Sequence, residues 1–366
     1  MSKAESRANV WVMDLHGTRR RITSDEQSRE GLAWSNNREL LVSSDAGGAQ
    51  RYSIFETSED GKIREVLATA GSLVIHDVSS DGRWLAKREE SRTSLFAHRP
   101  DWSEDRDLSW LDNSHGGILS PRGDWIVFTE QSPTVGANYA VCKRDMDGSP
   151  VVRLGVGYAW DVSPDGNWVL ATIPSLPPQL ILYPTGTGSN RLLDAGSLES
   201  FVFCYFCPGG DSLIVIGAEP GKALRTYVLP LQGGGPRPVT PDGVLGFHMS
   251  PDGTKILARG SDESYAVYNV GGGKPTPVPV LTPDDLVRSW NPRANSALVQ
   301  LRESFPRAVQ RVDLDTGRRE MHSTLDQMQL KGHQGSYVTD VSEDWQSYAY
   351  HAWWSSSALF LIDPPQ

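Results

Sequence analysis

The sequence predicts an all-β fold, a single β-propeller of four-stranded antiparallel blades, on three observations. One reversal recurs along the chain, its spacing is nearly constant, and about four apolar runs fit within each period. The reversal is clearest at Ser163-Pro164-Asp165-Gly166, between the apolar stretches that begin at Tyr158 and Trp168. Proline fixes φ, aspartate bonds its own backbone, and glycine takes the positive φ that turns the chain. Counted from each Ser, or the Cys or Asn in its place, the copies fall at 35, 79, 120, 163, 207, 250, 291 and 342, in steps of 44, 41, 43, 44, 43, 41 and 51. Eight copies favour eight blades, with seven as the alternative.

Each element follows from this register. Val10 to Leu15 and Arg20 to Thr23 alternate as two short strands, after a polar, flexible segment 1–9. Repeats begin near 31, 74, 116, 158, 201, 244 and 286. The second repeat, for example, divides into Val74 to Val78, Trp84 to Arg88, Thr93 to Ala97 and Arg106 to Ser109. A Gly-rich loop is expected at Asp45 to Ala49 and a polar insert at Ser323 to Gln334. The tail, 337–362, supplies three strands, so 10–23 is expected to complete the last blade and close the ring within one domain, 1–366, abolishing free sheet edges. With 35 Gly and 24 Pro and no long helical period, almost no helix is expected.

Composition bounds the function. A formal charge of −10 and a pI near 5.3 argue against a nucleic-acid partner. No run approaches eighteen apolar residues, so no membrane span is expected, and the N-terminus lacks the apolar centre of a signal peptide. Three cysteines make no disulfide scaffold; Cys204 and Cys207 lie three apart on a strand, hence on opposite faces, which argues against a metal or redox pair. Trp84, Trp125, Trp168 and Trp345 recur after the turn and read as repeat core.

The innermost strand carries the candidate site. The residue before each turn Ser is always apolar, whereas the next one back is Ala33, Asp77, Ile118, Asp161, Tyr205, His248, Ser289 or Asp340. Such a column near a central channel suits a cation or small polar ligand, with Asp77, Asp161 and Asp340 as oxygen donors and Tyr205, His248 and Ser289 beside them. The competing reading is a hydrated pore, or hydrogen bonds from the aspartates to neighbouring blades. No cofactor is expected beyond a structural cation at those aspartates. The sequence has neither G-x-S-x-G nor H-E-x-x-H.

The S-P-D-G turns at Ser163 to Gly166 and Ser250 to Gly253 resemble the WD-like repeat of TolB-type propellers. Glu104 to Asp112, Trp125 to Gln131, Asn138 to Val141, Asp147 to Gly155 and Val312 to Glu320 resemble, in order, the propeller that follows the kinase domain in bacterial eukaryotic-like serine/threonine kinases. That resemblance implies a sensor region placed outside the cytoplasm by a membrane anchor; the sequence as it stands implies a protein that stays where it is made. The chain has no Gly-rich nucleotide loop, H-R-D or D-F-G, so kinase activity does not carry over. The expected function is a non-catalytic module that binds a protein, peptide or small ligand. The alternative is a propeller enzyme with a metal-assisted hydrolytic site at the channel mouth.

Overall fold

The computed structural model describes residues 8–24, 27–35, 39–44, 52–57, 62–68, 72–136, 138–302, 304, 307–325 and 332–363. Apart from one 3-10 turn at Pro133–Val135, their regular secondary structure is all strand. The expected Gly-rich loop at 45–49, and residues 326–331 of the polar insert, lie outside them. No described helix is long and apolar enough to cross a membrane. The chain separates into two compact units, 1–92 with 354–366, and 93–353, where the sequence suggested one domain.

The larger unit is a circuit of six four-stranded antiparallel sheets. Blade I is Ser114–Leu119, Trp125–Glu130, Ala140–Asp145 and Val152–Val156; blade II is Tyr158–Val162, Trp168–Ile173, Gln179–Pro184 and Arg191–Leu193. Blade III begins with Ser200–Phe206, blade IV with Leu245–Met249 and blade V with Asp285–Asn291, each continued by the next three strands of the chain. Blade VI is composite. Its inner strand is His333–Val341, its second is 348–353, its third is 93–98 and its outermost is Arg106–Asp107. Stacking of Phe96 on Tyr350 and of His98 on Tyr348 fixes the register of the two middle strands.

The turns form as the sequence dictates. In the copies at Ser120, Ser163, Cys207 and Ser250 the N–H of the glycine three residues on donates to the first residue's carbonyl at 2.8 Å. The serine hydroxyl also accepts a backbone N–H from the start of the following strand, as from Trp168 and Lys255 at 2.9 Å. That double use explains why Ser recurs and is buried. At Ser342 the glycine's place is taken by Trp345, at φ +60. Trp345 is therefore a turn residue and not, as its spacing suggested, a strand residue in register with Trp168; its indole N–H reaches Ser289 on blade V at 2.9 Å.

Each seam between blades has its own filling. Ile118, Val127, Val169 and Ile181 fill the seam between I and II, and Leu170, Phe201, Cys204 and Leu213 that between II and III. Cys207, Ile214 and Ile256 join III to IV, whereas Leu257, Tyr265, Trp290 and Val299 join IV to V. Between V and VI a buried amide serves: Gln300 donates to the Ser336 carbonyl at 2.8 Å and accepts from the Val338 N–H at 3.1 Å. Leu95, Ala97 and Ala349 of blade VI pack on Leu119, Ile126 and Phe128 of blade I, closing the circuit. Burial of one such side chain stabilises by roughly 1.5–3 kcal/mol. Cys204 and Cys207 thus face opposite seams as expected, and burial pushes the Cys207 thiol up to about 12.

The smaller unit holds the first repeat as Arg29–Trp34, Leu40–Ser44, Ser53–Thr57 and Ile63–Leu67, beside Ser72–Val78 with 84–92 and 354–362. Leu41, Ile54, Ile75, Trp84 and Ile362 fill it. The expected closure by the N-terminal strands does not form. Trp11–Met13 and Arg19–Arg21 pair only with each other among the described strands, and the tail pairs with Trp84–His98. The reason is strand length: Trp84–His98 and Tyr348–Ile362 each run fifteen residues without a turn, so the second and eighth repeats share one sheet and cannot be two separate blades.

Candidate functional site

The column singled out from the sequence sits at the blade seams of the larger unit, and there it latches each blade to the next. Asp161 accepts the Val162 N–H at 2.8 Å with one oxygen and the Phe206 N–H of blade III at 2.7 Å with the other. Asp340 does the same with Val341 and with Leu119 of blade I, both at 2.8 Å. Tyr205 donates its hydroxyl to the Gly246 carbonyl at 3.4 Å, His248 Nε2 lies 3.2 Å from the Val287 carbonyl, and Ser289 accepts from Trp345. With apolar Ile118 the series runs once round the circuit. Asp77 is exposed in the smaller unit, where its carboxylate accepts the Val78 N–H at 2.9 Å.

Burial dominates the electrostatics of this column. It raises Asp161 to about 7 and Asp340 to about 6, against the opposing pull of their backbone N–H bonds, and it drives Tyr205 well above the usual phenol range. It lowers His248 to about 4. A cation site needs several ionised oxygens converging on one point. Asp161 and Asp340 stand on blades II and VI, each engaged by two backbone N–H groups, and no cluster of three His, Cys, Asp or Glu suited to a metal forms among the described residues.

A different set lines the inner strands. In blades II, IV and V the pairing of the first two strands slips by one residue, between Ala159 and Asp161, Gly246 and His248, and Val287 and Ser289. A β-bulge re-aims the extra side chain, and the residues so displaced are Trp160, Phe247 and Arg288. Around them runs a belt of rings. Tyr158 and Trp160 lie 4.6 Å apart between centroids, Trp160 and Phe203 5.3 Å, and Phe203 and Phe247 5.9 Å, spanning blades II to IV. The guanidinium of Arg288 sits 3.6 Å from the Tyr337 centroid; Tyr337 stacks on His351 at 5.6 Å, and His351 meets His115 of blade I at 5.3 Å. The strands behind the belt are buried, yet every member keeps part of its surface accessible. The inner strands of a propeller surround its central channel, and these aromatic faces, that of His351 apart, are carried on them.

Within the belt, burial lowers His115 to about 4 and His351 to about 3, so both imidazoles are neutral at pH 7. Burial also lowers Arg288, with the Tyr337 phenol pulling the other way; even so, an arginine stays protonated. The belt escaped the sequence reading because that reading took the residue two before the turn Ser as the axial one. In blades II, IV and V a bulge shifts the register by one, so the residue three before the turn's first residue is the one displaced, whereas in blade III the slip falls at Val202 and Cys204 stays in the seam. The available signal was variability: that position reads Gly117, Trp160, Cys204, Phe247, Arg288 and Thr339 in the six blades.

A closed circuit of four-stranded antiparallel sheets around an axial channel is a β-propeller. The fold is TolB-like: the structure of putative TolB from Agrobacterium tumefaciens matches with a TM-score of 0.53 at 18% identity, covering 72% of this chain and 99% of that one. TolB from Acinetobacter baumannii matches with a TM-score of 0.48 at 16% identity over 64% of each chain. A Mycobacterium tuberculosis puromycin-hydrolyzing peptidase matches at 0.46 and 15%, over 81% of this chain and 53% of that one. This chain therefore spans under two thirds of the length of the Acinetobacter and mycobacterial proteins. No protein-family model and no curated protein matches the sequence. At these identities the likeness is one of fold.

Proposed function

We propose that this chain is a non-catalytic binding module that takes a small molecule or the end of a peptide into the axial channel of its six-bladed unit. One observation carries the reading. Large aromatic side chains and an arginine are displaced toward the axis by bulges, while the aspartates that would serve metal-assisted hydrolysis are spent on bonds between blades. Aromatic faces with few polar groups are what a small-ligand site uses. Likeness to the propeller regions of bacterial serine/threonine kinases supports a sensing role for the same channel.

The experiment is a thermal-shift screen of the full chain against small molecules and short peptides, read in parallel on Trp160→Ala. A ligand at a hundred times its Kd adds about 2.7 kcal/mol to the native state. Ligands that stabilise the native chain but not the Trp160→Ala variant support the reading. Ligands that stabilise both equally, or peptides that are cut on incubation, contradict it.

A further inference from the structure

Arg288 is unlike every other charged residue at the axis. Its Nε and Nη2 are buried and have no hydrogen-bond partner among the described residues. Those two nitrogens form one edge of the guanidinium, the edge whose N–H groups point in parallel and match the two oxygens of a carboxylate. The flat face of the same group is occupied by Tyr337 at 3.6 Å. An arginine held by its face and left unpaired along an edge is costly to bury unless that edge meets an anion.

The surroundings select the kind of anion. No carboxylate of the described residues reaches that edge, and His248 and His351, which feel the Arg288 charge, are kept neutral at pH 7 by burial. One positive charge is therefore uncompensated, which a single negative charge, not two or three, would balance. Phe247 precedes Arg288 round the axis, with Phe203 and Trp160 beyond it, so the wall that continues from the fork is apolar and flat.

From this geometry we infer that Arg288 is the anchor of a specificity site for a monocarboxylate carried on an aromatic or similarly flat apolar body. The carboxylate lies along the Nε–Nη2 edge and the body rests on Phe247, Phe203 and Trp160. The inference rests on the channel reading above and names the ligand class that the channel accepts.

The test is calorimetric titration of the full chain with phenylacetate, its neutral isostere phenylacetamide, and inorganic phosphate. Phenylacetate is expected to bind about ten- to a hundredfold more tightly than the amide, the difference a charge-assisted hydrogen-bonded pair makes. Arg288→Met is expected to erase that difference, and Arg288→Lys to keep only part of it because the fork is lost. Nitrogen-detected titration of the imidazoles gives a second readout: bound phenylacetate raises the His351 and His248 pKa values, phenylacetamide does not. Equal binding of acid and amide, lost in Trp160→Ala, overturns the anion inference and leaves channel binding standing. Binding of phosphate in preference to phenylacetate, saturable binding unaltered by Arg288→Met, or no saturable binding of phenylacetate each overturns it outright.

Discussion

Replacing Asp340 by Asn perturbs the latch that joins the last blade to the first, and its effect depends on pH in a direction fixed by burial. The Asp340 carboxyl is shifted from 3.8 to about 6, because enclosure outweighs the N–H bonds from Leu119 and Val341. A raised folded pKa means that the native chain holds this proton more tightly than the unfolded chain does. The stability it contributes is therefore complete below pH ~4 and is lost as pH rises through ~6. Two pKa units correspond to about 3 kcal/mol. Asparagine matches the protonated carboxyl in shape and does not titrate, while its NH2 faces one of the two N–H donors at a cost that is the same at every pH. Relative to the native chain, the variant should therefore gain about 3 kcal/mol in urea unfolding between pH 4 and pH 8. A variant that loses relative stability as pH rises would show that the two N–H bonds outweigh burial, and would refute the reasoning.

Other substitutions probe the circuit and its turns. Gly117→Ala places a Cβ 2.5 Å from Leu95 Cδ1 and 2.9 Å from Ile126 Cδ1 at the seam between blades VI and I, and should cost about 1–3 kcal/mol by overpacking in a denaturant titration. Arg319→Met strips Asp285, which is fully buried and held by two 2.7 Å bonds from that guanidinium. The expected loss is about 3–5 kcal/mol, and a loss under 1 kcal/mol would contradict the pairing. Trp345→Gly relieves a positive φ worth about 1–2 kcal/mol but removes a buried indole worth about 3–5 kcal/mol, so the net change should be destabilising. Cys142, Cys204 and Cys207 are buried with thiols pushed up by burial; none should react with a thiol reagent before unfolding.

The repeat and its turns were legible because they are local: proline, aspartate and glycine at fixed offsets dictate a reversal wherever they occur. Which repeats adjoin was not, because adjacency is decided by pairing between residues some 250 positions apart. One local signal was nonetheless present. Arg88-Glu89-Glu90-Ser91-Arg92 contains neither glycine nor proline nor asparagine, so nothing there breaks the strand, and Trp84–His98 runs through what the period suggested was a turn. The same holds for Ser355-Ser356-Ser357 in the tail. The candidate site was half legible. The column of Asp161, Tyr205, His248, Ser289 and Asp340 does lie at the inner strands, but its polar character serves the seams. Side-chain alternation alone pointed to that column, and the bulges that bring Trp160, Phe247 and Arg288 to the axis instead leave no mark in composition.

The six-bladed circuit requires the sixth blade to meet the first. A Cβ built on Gly117 lies 3.2 Å from that of Ala349, a few tenths of an ångström inside the separation that a disulfide spans. In the chain carrying Gly117→Cys and Ala349→Cys, mild oxidation followed by peptide mass mapping should find those two positions joined within one molecule. Failure to join them, in a doubly substituted chain that is folded, would mean that the eighth repeat does not lie beside Gly117 and would undo the six-bladed circuit.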